Sequence, residues 1–531
     1  MLDPELPDQF LYSREGPWPQ PSPAHPLICA DEVLNIPPIE TLLFNEKIGA
    51  RYLQSQLAYP PVAAQYAALV RDWKGVSPER LDTIMLDTLY SRFKVPMLPS
   101  EMAQCKEAFK DDPAILQELE SGIWFKYDFT AMDLIDPLAG TFCAATKVFI
   151  RSGEDGVSSV RIIAVNGLPI YRTDSSFGIG SLYALQGASY HVLFVVHPAL
   201  HFPMDSVNAI TKTSVPMGHP LFQLFLPHSA YSLALNNAVL ESADSVVNNN
   251  AQGTRFDPLT ANAYNLKLLF GAGYSGLGPK DGPQYDPVAY PRFDYMRPRF
   301  FSKDTDPLFD SEYGRWLGAY FEGAFLPFCT EVANTIHDSC QLKLYVERWA
   351  RYCSTHVSGF PTATEIQDRG TLAKAMAIYI WNNSVSHGGD HWSFANEISE
   401  VEKCLRIRRK PPVSRKEPPV DNQVERIFTP NDMQRAALCQ NMFFQAWAIE
   451  PTLAETLYAF TEPQLLGAAE TFRASLLEIN DKFCHFVPPP TQPGIPDPVT
   501  NCQSLVAMEE SAGATSRSVP LERTIATSIQ Y

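Results

Sequence analysis

Two short stretches, HPALH at 197–201 and HGGDH at 387–391, each set two histidines four positions apart in a chain of 531 residues that holds only 11 histidines. On an α-helix, positions i and i+4 differ by about 40° in direction, so such a pair leaves one face together as a bidentate clamp. Both stretches fall in segments whose apolar residues recur at helical spacing. If the two clamps close on one centre, two helices some 190 residues apart in sequence must lie side by side in the core. Four imidazoles without a thiolate argue against a structural zinc knot. Imidazole suits Fe, Mn, Zn, Cu and Ni alike, so ligand type alone does not choose the metal.

The plainer reading of any one pair is two core histidines. Pro198 could also kink its helix and throw the rings of His197 and His201 apart. His191 is then a rival ligand, since a π-bulge could bring it beside His197 despite the roughly 240° that six residues of ideal α-helix put between them. His219 and His228, set among large apolar residues, read as core histidines with hydrogen-bonded rings.

Composition narrows the partners. The net charge of −17 disfavours nucleic acid and anionic lipid. The acidic, Pro-rich start lacks the basic and apolar regions of a signal peptide, and the longest apolar runs fall short of the roughly 20 residues a bilayer requires. No transmembrane segment is expected. Ten cysteines are scattered without a C-x-x-C pair, which suits reduced thiols and a cytoplasmic location.

Residues 1–40 read as an extended arm and 41–531 as one mainly α-helical domain. Helical patterns fill ETLLFNEKIGARYLQSQLA, VAAQYAALVRDWKGV, PERLDTIMLDTLYSRF, ILQELESGIWFKYDF and most of 181–480. Between 140 and 175, alternating β-branched and polar residues around a Gly-containing turn predict a hairpin or small sheet. RIRRKPPVSRKEPP at 406–419 and VPPPTQPGIPDP at 487–498 read as surface loops. There is no Gly-rich phosphate loop and no G-x-S-x-G turn, which removes common nucleotide and acyl-hydrolase readings.

Taken together, several segments resemble the catalytic domain of lipoxygenases, the non-haem iron or manganese dioxygenases of polyunsaturated fatty acids. HPLFQLFLPHSAYSLALN at 219–236 is similar to the family's H-P-[LI]-[FY]-K-L-L-x-P-H-x-R-Y-T-x-x-I-N, with His201 18 residues before His219. IYIWNNSVSHGGDHWSFAN resembles I-I-W-x-x-S-A-x-H-A-A-V-N-F-G-Q, with Trp381 six residues before His387. WARYCSTHVSGFPTATEIQD is similar to the region that precedes that helix, and the final TSIQY resembles the family ending N-S-I-x-I.

The resemblance implies a lipoxygenase-like catalytic domain without the N-terminal β-sandwich of many family members. It implies an Fe centre, or alternatively Mn, held by His197, His201, His387, His391 and the main-chain carboxylate of Tyr531. The substrates it implies are dioxygen and a hydrophobic small molecule, a polyunsaturated fatty acid or related polyene.

Departures from the family pattern are Tyr531 for the usual Ile, Val196 where many members place a second histidine, Ala230 and Leu240 where Arg is common, and Asn237 near the Ala or Gly that influences oxygen entry. They keep two further readings open: a metal-dependent oxidase, isomerase or cyclase acting on a polyene of specialised metabolism, and a non-catalytic protein that binds a hydrophobic ligand. Neither the oligomeric state nor the choice of Fe or Mn is legible.

Overall fold

A computed structural model describes residues 38–49, 75–153, 156–230, 232–241, 259–261, 263–275, 285–298, 317–394, 398, 401–417, 428–443, 451–482 and 526–529. Most of the expected arm, much of the stretch 40–76, the 487–498 run and Tyr531 lie outside them. A helix at Pro38–Phe44 crosses the boundary expected at residue 40.

The architecture is mainly helical with one five-stranded antiparallel sheet, β1 (Val95–Pro96), β2 (Ile123–Phe129), β3 (Thr146–Ser152), β4 (Ser158–Val165) and β5 (Leu168–Tyr171), each strand beside its neighbour in sequence. The β4–β5 hairpin turns on Asn166 and Gly167, with φ of 48° and 81°. Asn-Gly tolerates those positive values, and the turn sets Val165 opposite Leu168.

The small sheet expected between 140 and 175 extends upstream, because IWFKYDF forms β2 rather than the end of a helix. The preceding helix stops at Leu119, and Gly122 turns the chain at φ 77°, where a Cβ would lie 2.7 Å from the Ser152 carbonyl oxygen. The aromatic-rich run then pairs along its whole length with β3, from Ile123 opposite Ser152 to Phe129 opposite Thr146.

The sheet's buried side carries the central helix of the molecule. It runs as α1 (Phe177–Tyr190), one π-helical segment (His191–Val196) and α2 (Pro198–Ser214). By length and apolar content this helix could cross a bilayer, but its most apolar stretch is wholly buried inside the protein. It is a core helix. Pro198 does not break it. The His197 N–H reaches back five residues to the Val192 carbonyl (3.0 Å), and Pro198 then opens α2, where a missing N–H costs nothing.

The stretch 219–243, within the run expected to be helical, is divided over its described residues into Pro220–Phe225, a 3-10 turn Leu226–Ser229 and α3 (Ser232–Glu241). Next comes α4 (Ala263–Ser275), whose Gly273 lies so close to the π-helical segment that a Cβ would overlap the Val195 carbonyl oxygen.

The second long run is α5 (Arg369–Trp381), a π-helical segment (Asn382–Ser386) and α6 (His387–Trp392). Asp368 caps it, its carboxylate accepting from the Thr371 N–H at 2.7 Å. The Ala and Ile-rich α5 is buried on nearly every side, packing on Leu326–His337.

The basic stretch expected as a surface loop at 406–419 is a loop over its described part, 406–417, with Val413 89% exposed, and its arginines are paired to the body. Arg406 donates to the Leu259 carbonyl, Arg408 forks onto Asp432 (2.5 and 2.9 Å), and Arg415 onto Asp174 (2.8 and 3.3 Å). Its charges pin a strap to the body. Cys105, Cys143, Cys329, Cys340, Cys353 and Cys404 are free thiols.

Candidate metal centre

A π-helical segment immediately precedes each histidine pair: 191–196 before His197 and 382–386 before His387. Such a turn holds one residue more than an α-helical turn and re-aims the side chains beyond it, and π-bulges gather at functional sites. Here both segments deliver an α-helical i, i+4 pair to one place.

The four rings converge. Ring centroids lie 4.5 Å apart for His197–His201 and for His387–His391, 4.8 Å for His197–His387, 4.7 Å for His201–His387 and 4.9 Å for His197–His391. His201 Nε2 lies 2.8 Å from His197 Nε2 and 3.1 Å from His387 Nε2. One ligand nitrogen from each of His197, His387 and His391 falls within 4.8 Å of the others.

A transition metal binds imidazole at about 2.0–2.1 Å, so two nitrogens at right angles around it stand about 2.9 Å apart, whereas tetrahedral ligands stand about 3.4 Å apart. The 2.8 and 3.1 Å spacings around His201 Nε2 are short enough for these nitrogens to share one ion as neighbouring ligands. The residues fit a non-haem metal.

Burial prepares the rings for that role, because a metal needs neutral imidazole. Desolvation, and then His197, hold His201 well below the ordinary histidine pKa. Desolvation, followed by His391, His201 and His197, does the same for His387.

The outward nitrogens are anchored. His201 Nδ1 meets Asn236 Oδ1 on α3 at 2.7 Å, and the Asn236 amide donates in turn to Asp205. His197 Nδ1 lies 3.1 Å from Asp390 Oδ2, and the other Asp390 oxygen accepts from Arg92. These contacts leave Nε2 of each ring facing the centre. The sequence reading missed all four supporting residues. Asp390 was in plain view inside HGGDH, but nothing in spacing distinguishes a buried acid from a solvated one.

His191 lies elsewhere. Its ring sits in an aromatic box of Phe93, Phe129 and Tyr290, with centroids 5.0, 5.5 and 5.4 Å away. The π-helical segment begins at His191 and does not carry it to the cluster. His219 and His228 are hydrogen-bonded core residues: His219 Nδ1 accepts from the Leu221 N–H (3.1 Å) at a helix start, and its Nε2 donates to the Leu342 carbonyl (3.0 Å). His228 Nδ1 donates to the Thr527 carbonyl (2.7 Å) while its Nε2 accepts from the Tyr458 hydroxyl (2.8 Å). Burial pushes His228 down to about 4.

No family model and no curated protein matches the sequence. Solved structures do. A lipoxygenase crystallised anaerobically with arachidonate shares 13% identity at a TM-score of 0.67, over 94% of this chain and 77% of the other. A fungal lipoxygenase from Fusarium graminearum shares 13% at 0.62, over 90% and 84%. The manganese lipoxygenase of Gaeumannomyces graminis shares 13% at 0.63, over 93% and 91%. The chain has the lipoxygenase catalytic-domain fold.

Proposed function

We propose that the protein is a lipoxygenase-like dioxygenase in which His197, His201, His387 and His391 hold one Fe or Mn ion. The observation that carries this reading is the convergence of imidazole nitrogens, inside this fold, with outward nitrogens tied to Asp390 and Asn236. When bound, the metal would supply the oxidant that takes a hydrogen atom from a doubly allylic carbon, leaving a radical that dioxygen traps. The chain's own part is to keep the rings neutral, fix their tautomers and exclude water from the centre.

The carboxylate of Tyr531 would be a fifth donor. Support comes from the buried segment 526–529: Ile529 shares one apolar cluster with Ala234 and Leu235, the two residues before Asn236. Arachidonate in one structural relative makes a polyunsaturated fatty acid the substrate class to try first.

The test is oxygen uptake by metal-loaded protein with linoleate, arachidonate and other polyenes. Stoichiometric uptake with a conjugated hydroperoxide product is expected. Turnover of a polyene without oxygen incorporation would favour an isomerase or cyclase on the same site. Ligand binding with no metal uptake would favour a binding protein.

A further inference from the structure

We propose that Asp390 and Arg92 form a charged outer arm of the centre that fixes His197 and sets the reduction potential of the bound metal; the inference rests on the metal-site reading above. Asp390 stands between the two histidines of HGGDH and is 4% exposed. One of its oxygens lies 3.1 Å from His197 Nδ1, and the other accepts from the Arg92 guanidinium. Arg92, 1% exposed, is itself held by the Leu89 carbonyl (3.2 Å) and the Ser393 hydroxyl (2.9 Å) and lies over the Phe93 ring. The arm is rigid and dry.

His201, four residues along the same helix, shows what ring-holding alone requires. Its Nδ1 meets a neutral amide, Asn236, at 2.7 Å. A carboxylate is a costly substitute, since a buried charge needs a counter-charge and full hydrogen bonding, and Arg92 supplies both. The two imidazoles of one clamp thus differ in what stands behind them. A carboxylate that accepts the Nδ1 proton's hydrogen bond raises electron density at Nε2, and a more basic donor stabilises the more highly charged state of a metal. Asp390 therefore lowers the potential, and Asn236 does not.

The experiment compares iron-loaded wild type, Asp390→Asn and Asp390→Glu by mediated redox titration. Asparagine keeps an acceptor oxygen but removes the charge, so the midpoint of Asp390→Asn rises by at least a tenfold change in the oxidised-to-reduced ratio, about 59 mV for one electron. Asp390→Glu returns at least half of that shift. A residue that only held the ring would change metal occupancy and leave the potential alone. Where Asp390→Asn holds too little iron to titrate, competition for Zn(II) and Ga(III) replaces the titration: a Ga(III) affinity that falls at least tenfold further than the Zn(II) affinity, restored by Asp390→Glu, supports the arm. An unmoved midpoint, or affinities for the divalent and trivalent ions that fall equally or not at all, overturns it. Wild-type protein that takes up no iron overturns the metal-site reading itself, so the two failures are distinguishable.

Discussion

The Nε2 atoms of His201 and His387 lie 3.1 Å apart although 186 positions separate the residues in the chain. Two neutral imidazole nitrogens at that distance repel unless a proton or a metal sits between, and the Nδ1 contact of His201 with Asn236 Oδ1 turns its Nε2 lone pair toward the centre.

The ring assignment separates His191 from the cluster by experiment. His191→Ala empties a box of three aromatic rings and is expected to cost roughly 2–4 kcal/mol of stability while leaving metal stoichiometry unchanged. Metal analysis beside chemical denaturation checks this. Loss of metal from a folded His191→Ala protein would place that residue among the ligands.

Asn236 is the anchor of His201, so Asn236→Leu leaves the ring free to rotate and removes a hydrogen-bond donor from Asp205. Metal affinity is expected to fall about 10–100-fold, as for other outer partners of metal-bound histidine. A competition titration against a chelator measures it, and an affinity within twofold of wild type would show that the Asn236 contact is incidental.

Gly273 tests the helix packing that sets the register of His197. Adding a methyl group forces α4 away from Val195, two residues before His197, and is expected to destabilise the fold by about 1–3 kcal/mol and to weaken metal binding. Gly218→Ala, where a Cβ meets nothing within 4 Å, should be neutral within about 0.5 kcal/mol. Equal stabilities for the two variants would remove the role given to this contact.

Stability also depends on pH through His228, which ties the 526–529 segment to the body. The unfolded chain takes up a proton near 6.5, whereas burial holds the folded residue down to about 4. Stability from this residue is therefore complete above pH 6.5 and is lost as pH falls towards 4, by roughly 3 kcal/mol across the window. The measurement is the difference in denaturation free energy between wild type and His228→Gln across that range. Asp205, whose carboxyl burial raises to about 7, titrates in both proteins and cancels. A difference that stays constant with pH would contradict the buried neutral ring.

What the sequence made legible was what local geometry dictates. An i, i+4 pair shares a face whatever the rest of the chain does, so HPALH and HGGDH were readable as clamps. The alternation around a Gly-containing turn between 140 and 175 likewise announced a hairpin or small sheet. Arg92 was not readable as a partner of Asp390 because 298 positions separate them and only the fold closes that distance. IWFKYDF was misread because a helix-like spacing of apolar residues continued past Leu119, and the pairing that overrides it comes from β3. The loop at 406–417 was legible as a loop, but the pairing of its arginines was not, because Asp432 and Asp174, which neutralise them, are remote in sequence.

The most direct measurement is the metal content of the purified protein and of its His201→Ala and His387→Ala variants. The account predicts about one Fe or Mn per wild-type chain and less than a tenth of that in either variant, with both variants still folded by circular dichroism. Wild-type chains without stoichiometric Fe or Mn, or variants that keep the wild-type amount, would contradict it.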